Sequence, residues 1–164
     1  MTLVLLKPGA LDGRAVAAGG AAGAACAQAG ATIVAPDAER IETLVVDAGA
    51  LFCDGGLGGL RAALDGAWSA AHEVATTCWL GEDGRPGKLV LPAPRPDAGE
   101  HARAVAAALE NLARTLAVEW ARFGVRATVV VPGPRTTDDD LGALVAFFAS
   151  AAGEYYSGCR FTLR

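Results

Sequence analysis

The side chains able to do chemistry in this chain are few and scattered. His72 and His101 are its only histidines, and neither has a second histidine or clustered carboxylates at ligand spacing, so metal-assisted chemistry lacks a donor set. Cys26, Cys53, Cys78 and Cys159 are far apart and form no Cys-x-x-Cys pair. With no charged-then-apolar leader ahead of them, they read as small apolar residues of a reduced, cytoplasmic protein rather than as nucleophiles or disulfide partners. Tyr155 and Tyr156 precede the final turn and read as residues that pack at a subunit contact and do not react. The carboxylates that stand out are Asp37 after Pro36, Asp47 in a Val-Val-Asp-Ala-Gly run, and Asp138-Asp139-Asp140, which place three negative charges at the start of a helix.

These residues need elements to position them, and the chain alternates strands with helices. Thr2–Leu6 reads as a buried first strand that ends at the turn Lys7-Pro8-Gly9. The run from Arg14 to Ala29 is almost all Ala and Gly and reads as a flat-sided helix closed by Gly30. A second strand, Ala31–Ala35, ends at Pro36-Asp37. A third, Thr43–Val46, follows after a linker too short for a crossover helix. Leu60, Leu64, Trp68, Ala71, Ala75 and Trp79 mark one face of the next helix, and Lys88–Leu91 makes a fourth strand. Asp97 with Glu100 reads as a capping box opening a helix through Val105, Leu109, Leu112, Leu116 and Phe123, which Gly124 stops. Val125–Val131, a helix from Asp138 and a last strand Arg160–Leu163 complete the pattern.

At 164 residues and 52% apolar content, one compact domain spanning 1–164 is expected. A formal charge of −4 without a basic cluster gives no footprint for nucleic acid or anionic lipid. The uncharged stretch from Ala15 to Pro36 is long enough to raise a membrane span, but its Ala and Gly gain little from lipid and Gln28 interrupts it, so a buried helix and strand are expected.

Four separated segments carry a resemblance. Ala108-Leu109-Glu110-Asn111-Leu112-Ala113-Arg114-Thr115-Leu116-Ala117-Val118-Glu119-Trp120-Ala121, followed by Gly124-Val125-Arg126 and Val131-Pro132-Gly133, closely resembles the short-chain dehydrogenase/reductase family. Leu144–Ser150 with Tyr156-Ser157-Gly158 is similar to that family's last helix and the turn into its last strand, and Leu44-Val45-Val46-Asp47-Ala48-Gly49 is similar to its Leu-Val-Asn-Asn-Ala-Gly strand end. The resemblance implies a three-layer Rossmann-type α/β fold with a mostly parallel sheet of about six strands in chain order 2-1-3-4-5-6. Strand two is its doubtful member, because the linker returning past strand one is nearly extended.

The same resemblance shows what is missing. The family's tyrosine and lysine, a general acid and the ammonium that tunes it, fall on Ala102 and Ala106, and a methyl group does neither job. The family's serine falls within Pro92-Ala93-Pro94 and its helix asparagine near Ala67. The phosphate loop is best matched by Pro8–Ala15, where Gly9 and Gly13 keep their spacing and the third glycine is Ala15. Asp37 stands where the family places the acid for the ribose hydroxyls, and Asp47, Gly49 and Thr137 complete the cofactor-binding candidates. The helix, strand and helix expected between Asp37 and Thr43, and the substrate-covering lobe expected between Thr137 and Leu141, are absent.

The resemblance therefore implies a non-catalytic member that forms homo-oligomers or joins an active short-chain dehydrogenase, through the helix from Asp97 to Phe123 and through the last helix and strand. Trp120, Phe147, Phe148 and Tyr156 are the interface candidates. No cofactor, or weakly held NAD(P), is expected. The alternative is an NAD(P)-dependent oxidoreductase with an atypical site, in which His101, neighbouring the vacated tyrosine position, is the substitute acid or base. A cofactor-free lyase or isomerase in the same cleft has no residue to name as its acid or base.

Overall fold

A computed structural model describes residues 6–53 and 55–164. The expected strand Thr2–Leu6 lies, apart from Leu6, outside the described residues. The first strand of the sheet is instead β1, Ala15–Ala17, cut from a segment whose composition reads as helix. Helix α1 starts only at Gly20 and runs to Gln28. Gly19-Gly20 breaks the run, with Gly20 at φ +56°, and Ala15–Ala17 gains pairing on both sides. The amides of Thr32 and Val34 donate to the Arg14 and Val16 carbonyls, and the Glu42 amide donates to the Ala15 carbonyl. Partners on two flanks outweigh the helical propensity of two alanines, which is a weak local preference.

The remaining elements are β2 (Thr32–Ile33), β3 (Thr43–Val45), α2 (Ala48–Leu51), α3 (Gly56–Val74), β4 (Lys88–Pro92), α4 (Ala102–Glu119), β5 (Arg126–Val131), α5 (Asp138–Ala149) and β6 (Cys159–Thr162). The six strands form one all-parallel sheet in the order β2-β1-β3-β4-β5-β6. Strand two takes its expected place: residues 34–42 return from β2 to β3 without a helix or strand, and Ile41 is buried on the way.

Side chains alternate across the sheet with the period of two that a pleated strand imposes. Leu89 and Leu91 of β4, with Ala127, Val129 and Val131 of β5, face α3 and α4. Val90 and Val130 face α1 and α5 on the other side. The helices α1 and α5 cross closely: a Cβ on Gly142 would sit 2.9 Å from the Ala21 carbonyl oxygen, so only glycine fits there.

Two helix readings change. In α3 the buried stripe is Gly59, Ala63, Ala67, Ala71 and Val74, while Trp68 is 45% exposed and leans on His72. Small residues allow the helix to lie close to the sheet, with Leu60 and Leu64 packed half-buried at the margin of the core and Trp68 turned toward solvent. The helix then widens into a π-type segment, Ala75–Trp79, that carries the Trp79 ring into full burial, where its Nε1 donates to the Ile41 carbonyl at 2.7 Å. The expected capping box Asp97/Glu100 does not form. Gly99 at φ +142° and His101 at φ +72° bar a helix through 97–101, and α4 begins at Ala102.

Candidate functional site

In an open parallel sheet the helix N-termini and the loops that follow the strands gather at the carboxyl edge, where ligands of such folds sit. Here that edge is formed by Ala18-Gly19-Gly20 after β1, by Asp37 beyond β2, by Asp47–Gly49 after β3, by Ala93-Pro94-Arg95 after β4 and by residues 132–137 after β5.

Four of the six cofactor candidates lie along it. Asp37 is exposed in the turn beyond β2. Asp47 caps α2, its Oδ1 accepting from the Ala50 amide at 3.0 Å. Gly49 packs beneath the β4 loop, where a Cβ would meet the Ala93 carbonyl oxygen at 3.2 Å. Thr137 caps α5 in a reciprocal box: its hydroxyl accepts from the Asp140 amide at 3.1 Å, while Asp140 Oδ2 accepts from the Thr137 amide and hydroxyl.

Gly9 and Gly13 lie elsewhere. They belong to turns that precede β1, and between them Leu11 donates its amide to the carbonyl of Ala29, just past the end of α1. That puts them at the amino edge, across the sheet from any helix N-terminus that could take a phosphate. The glycine turn that does lead into α1 is Gly19-Gly20, which a sequence reading overlooks once Ala15–Ala17 is taken as helix. The signal was present in the adjacent glycines.

The positions on which the resemblance places the family's tyrosine and lysine lie on α4. Ala102 and Ala106 stand one turn apart on α4 and are 1% and 5% exposed. The β4 loop offers buried Pro92, Ala93 and Pro94, none with a hydroxyl. His101 is the one non-glycine residue at positive φ among the described residues; its ring is one-third exposed, with Nε2 3.7 Å from a Glu100 carboxylate oxygen. Arg95, which the sequence reading missed in its Pro-Arg-Pro setting, ties the edge together. It donates to the Gly133 carbonyl at 3.0 Å and lies 3.6 Å from Asp138.

These residues fit a dinucleotide poorly. Gly19 and Gly20 face open space, which would let a phosphate approach the start of α1. The Thr137 hydroxyl, however, is spent in its cap, Asp138, Asp139 and Asp140 stand in the first turn of α5, and the glycine turn itself, Ala18-Gly19-Gly20-Ala21-Ala22, carries no basic residue. Among the described residues no group of three His, Cys, Asp or Glu side chains could hold a metal ion, and no helix is long and apolar enough to cross a membrane.

Of the interface candidates, Trp120 and Phe148 are corrected to core: they are 7% and 2% exposed. Phe148 joins Phe147, Tyr156 and Phe161 in an aromatic cluster between α5 and β6, where Phe147 and Tyr156 stay half-buried. Tyr155 and Val118 are the large apolar groups left exposed near these elements, at 89% and 78%.

No protein-family model matches the sequence, and no curated protein is significantly similar to it. Solved structures are similar in shape. A citronellol catabolism dehydrogenase of Pseudomonas aeruginosa matches with a TM-score of 0.73 at 18% identity, covering 98% of this chain and 97% of its own. A hydroxysteroid dehydrogenase of Escherichia coli matches at 0.71 and 16%, covering 93% and 96%. A short-chain dehydrogenase/reductase variant of Serratia marcescens matches at 0.70 and 18%, covering 93% and 95%. Six parallel strands in this order, flanked by helices on both faces, give the chain the fold of the short-chain dehydrogenases/reductases.

Proposed function

We propose that this chain is a non-catalytic protein of short-chain dehydrogenase/reductase type that acts as an oligomer-forming subunit or as the partner of an active homologue in the cytoplasm. One observation carries the reading: where the fold would present a proton donor and its tuning ammonium, α4 presents Ala102 and Ala106 packed into the core. Reduction of a carbonyl needs a proton delivered to its oxygen, and neither residue has one to give.

The elements best kept are those suited to assembly. Helix α4 leaves Arg103, Asn111, Arg114 and Val118 on its outer face, and β6 is an edge strand whose far side has no partner strand among the described residues. An edge of that kind is open to pairing with a second chain. Phe147, Tyr156, Tyr155 and Val118 are the side chains assigned to the contact. The four cysteines are all free, which suits a reducing compartment.

The open Gly19-Gly20 turn favours a second reading, an oxidoreductase of the same fold with an atypical site that holds NAD(P) through Gly19, Gly20, Asp37, Asp47, Gly49 and Thr137. The two are separated by isolating the tagged protein from its native cells and identifying what co-purifies in stoichiometric amount, alongside titration with NADH and NADPH. An intact short-chain dehydrogenase, or a defined homo-oligomer that binds neither nucleotide, supports the subunit reading. A monomer that binds nucleotide and turns over a carbonyl overturns it.

A further inference from the structure

Across the sheet from the glycine turn, the amino ends of β1, β3, β4 and β5 surround a cavity of about 470 Å³ that the subunit reading does not use. Its charged lining is Arg14, Arg85, Lys88 and Arg126 against Glu42 and Glu154. The two carboxylates are already engaged. Arg14 lies 3.3 Å from Glu42 and 3.7 Å from Glu154, and Lys88 Nζ lies 3.6 Å from Glu154 while donating to the carbonyls of Ala149 and Ser150.

The other two cations have no counter-ion among the described residues. Arg126 donates its Nε to the Glu154 carbonyl at 3.0 Å and meets no carboxylate, and the Arg85 guanidinium has neither a hydrogen bond nor an ion pair among the described residues. Four cations against two acids leave two positive charges concentrated in one concave site, on a chain whose net charge is −4. Like charges gathered on low-dielectric walls focus a positive potential, and guanidinium forks match tetrahedral oxyanions in a bidentate way.

We propose that this cavity is an anion site for a compact dianionic oxyanion, inorganic phosphate or the phosphate of a small phosphomonoester, gripped by Arg85 and Arg126 over the fixed charges of Arg14 and Lys88. The volume lies within the range of small-molecule sites and leaves room for an organic body beside the phosphate. Lys88 is only 8% exposed; burial holds its ammonium below the ordinary lysine range, the nearby Arg14 adds to that, and Glu154 and Glu42 work against it. A seated dianion favours the charged form and is favoured by it in return.

The test is calorimetric titration of the full chain with sodium phosphate and with glycerol phosphate at constant ionic strength, with sodium chloride and sodium acetate as monoanion controls. Saturable binding of phosphate or of the ester, absent for both controls, is expected. R85A and R126K each weaken it about tenfold or more, as expected for loss of a charge-assisted fork. E154Q tightens it, and R85E abolishes it. Binding of the ester alone assigns an organic phosphate, and binding of both assigns the bare group. The proposal is overturned if neither probe saturates at millimolar concentration, if chloride competes equally, or if R85A and R85E bind as the wild type does. None of these outcomes depends on whether the chain has a partner subunit.

Discussion

Under the proposed reading, placing a tyrosine and a lysine where the resemblance puts that family's pair, by the double substitution A102Y/A106K, distinguishes a site that is disarmed from one that is dismantled. Both positions are buried, at 1% and 5% exposure, in the layer between α4 and the sheet. A phenol and a lysine stem must therefore enter packed space, at about 1–3 kcal/mol each. For a chain of this size each kcal/mol lowers the melting temperature by roughly 2–4 °C, so a drop of roughly 5–20 °C is expected. If only the acid and its tuning ammonium were missing, their return would raise turnover by about 10²–10⁴-fold. We expect no rise. The β4 loop still lacks a hydroxyl, residues 34–42 supply no helix or strand beside the nucleotide position, and residues 132–137 merely join β5 to α5 without a covering lobe. The assay follows NADH and NADPH oxidation with a panel of small aldehydes and ketones, below the variant's melting temperature and with its folded fraction fixed by circular dichroism. A hundredfold gain over the wild type would refute the reasoning.

Two further outcomes follow from the interior. Burial pushes the Cys26 thiol from 9.0 up to about 11, so the unfolded chain loses that proton first and the folded chain keeps it across the window between. The unfolded state then binds fewer protons there, and stability falls as pH rises from about 9 to about 11. In urea unfolding the wild type should lose roughly 2–3 kcal/mol more than C26A over that window; parallel curves would contradict the assignment. Lys88, lowered when folded, acts in the opposite direction in both proteins and cancels from the comparison. W79F removes the donor to the buried Ile41 carbonyl and leaves a void beneath the π-type segment. A loss of about 2–4 kcal/mol is expected by denaturant titration, and a change under about 0.5 kcal/mol would show that the bond and the packing are not needed.

The placement of the site was only partly legible in the sequence, for reasons visible in particular residues. Thr43–Val45, Lys88–Pro92 and Arg126–Val131 are apolar or β-branched runs between turn residues, and such runs state their own conformation. Asp47, Gly49 and Thr137 follow strands, so their edge of the sheet came with the strands. Gly9 and Gly13 were misplaced because Ala15-Val16-Ala17 carries no strand signal strong enough to show against its alanine-rich surroundings. Its pairing partners, at 32–34 and 42–44, lie far along the chain.

By itself the sequence determined the class of fold through its alternation of strands and helices, while its resemblance to the short-chain dehydrogenases/reductases carried the order of the strands and the placing of that family's tyrosine and lysine on Ala102 and Ala106. The alternation depends on residue types and on local periodicity, which need no neighbour to be read. Only the tertiary structure decided that Trp120 and Phe148 are core and not contact surface, that Gly19-Gly20 is the turn into α1, and that Arg14, Arg85, Lys88 and Arg126 share one cavity. Burial and charge density are sums over elements distant in the chain, and a parallel sheet brings its amino ends together only once every strand is in place.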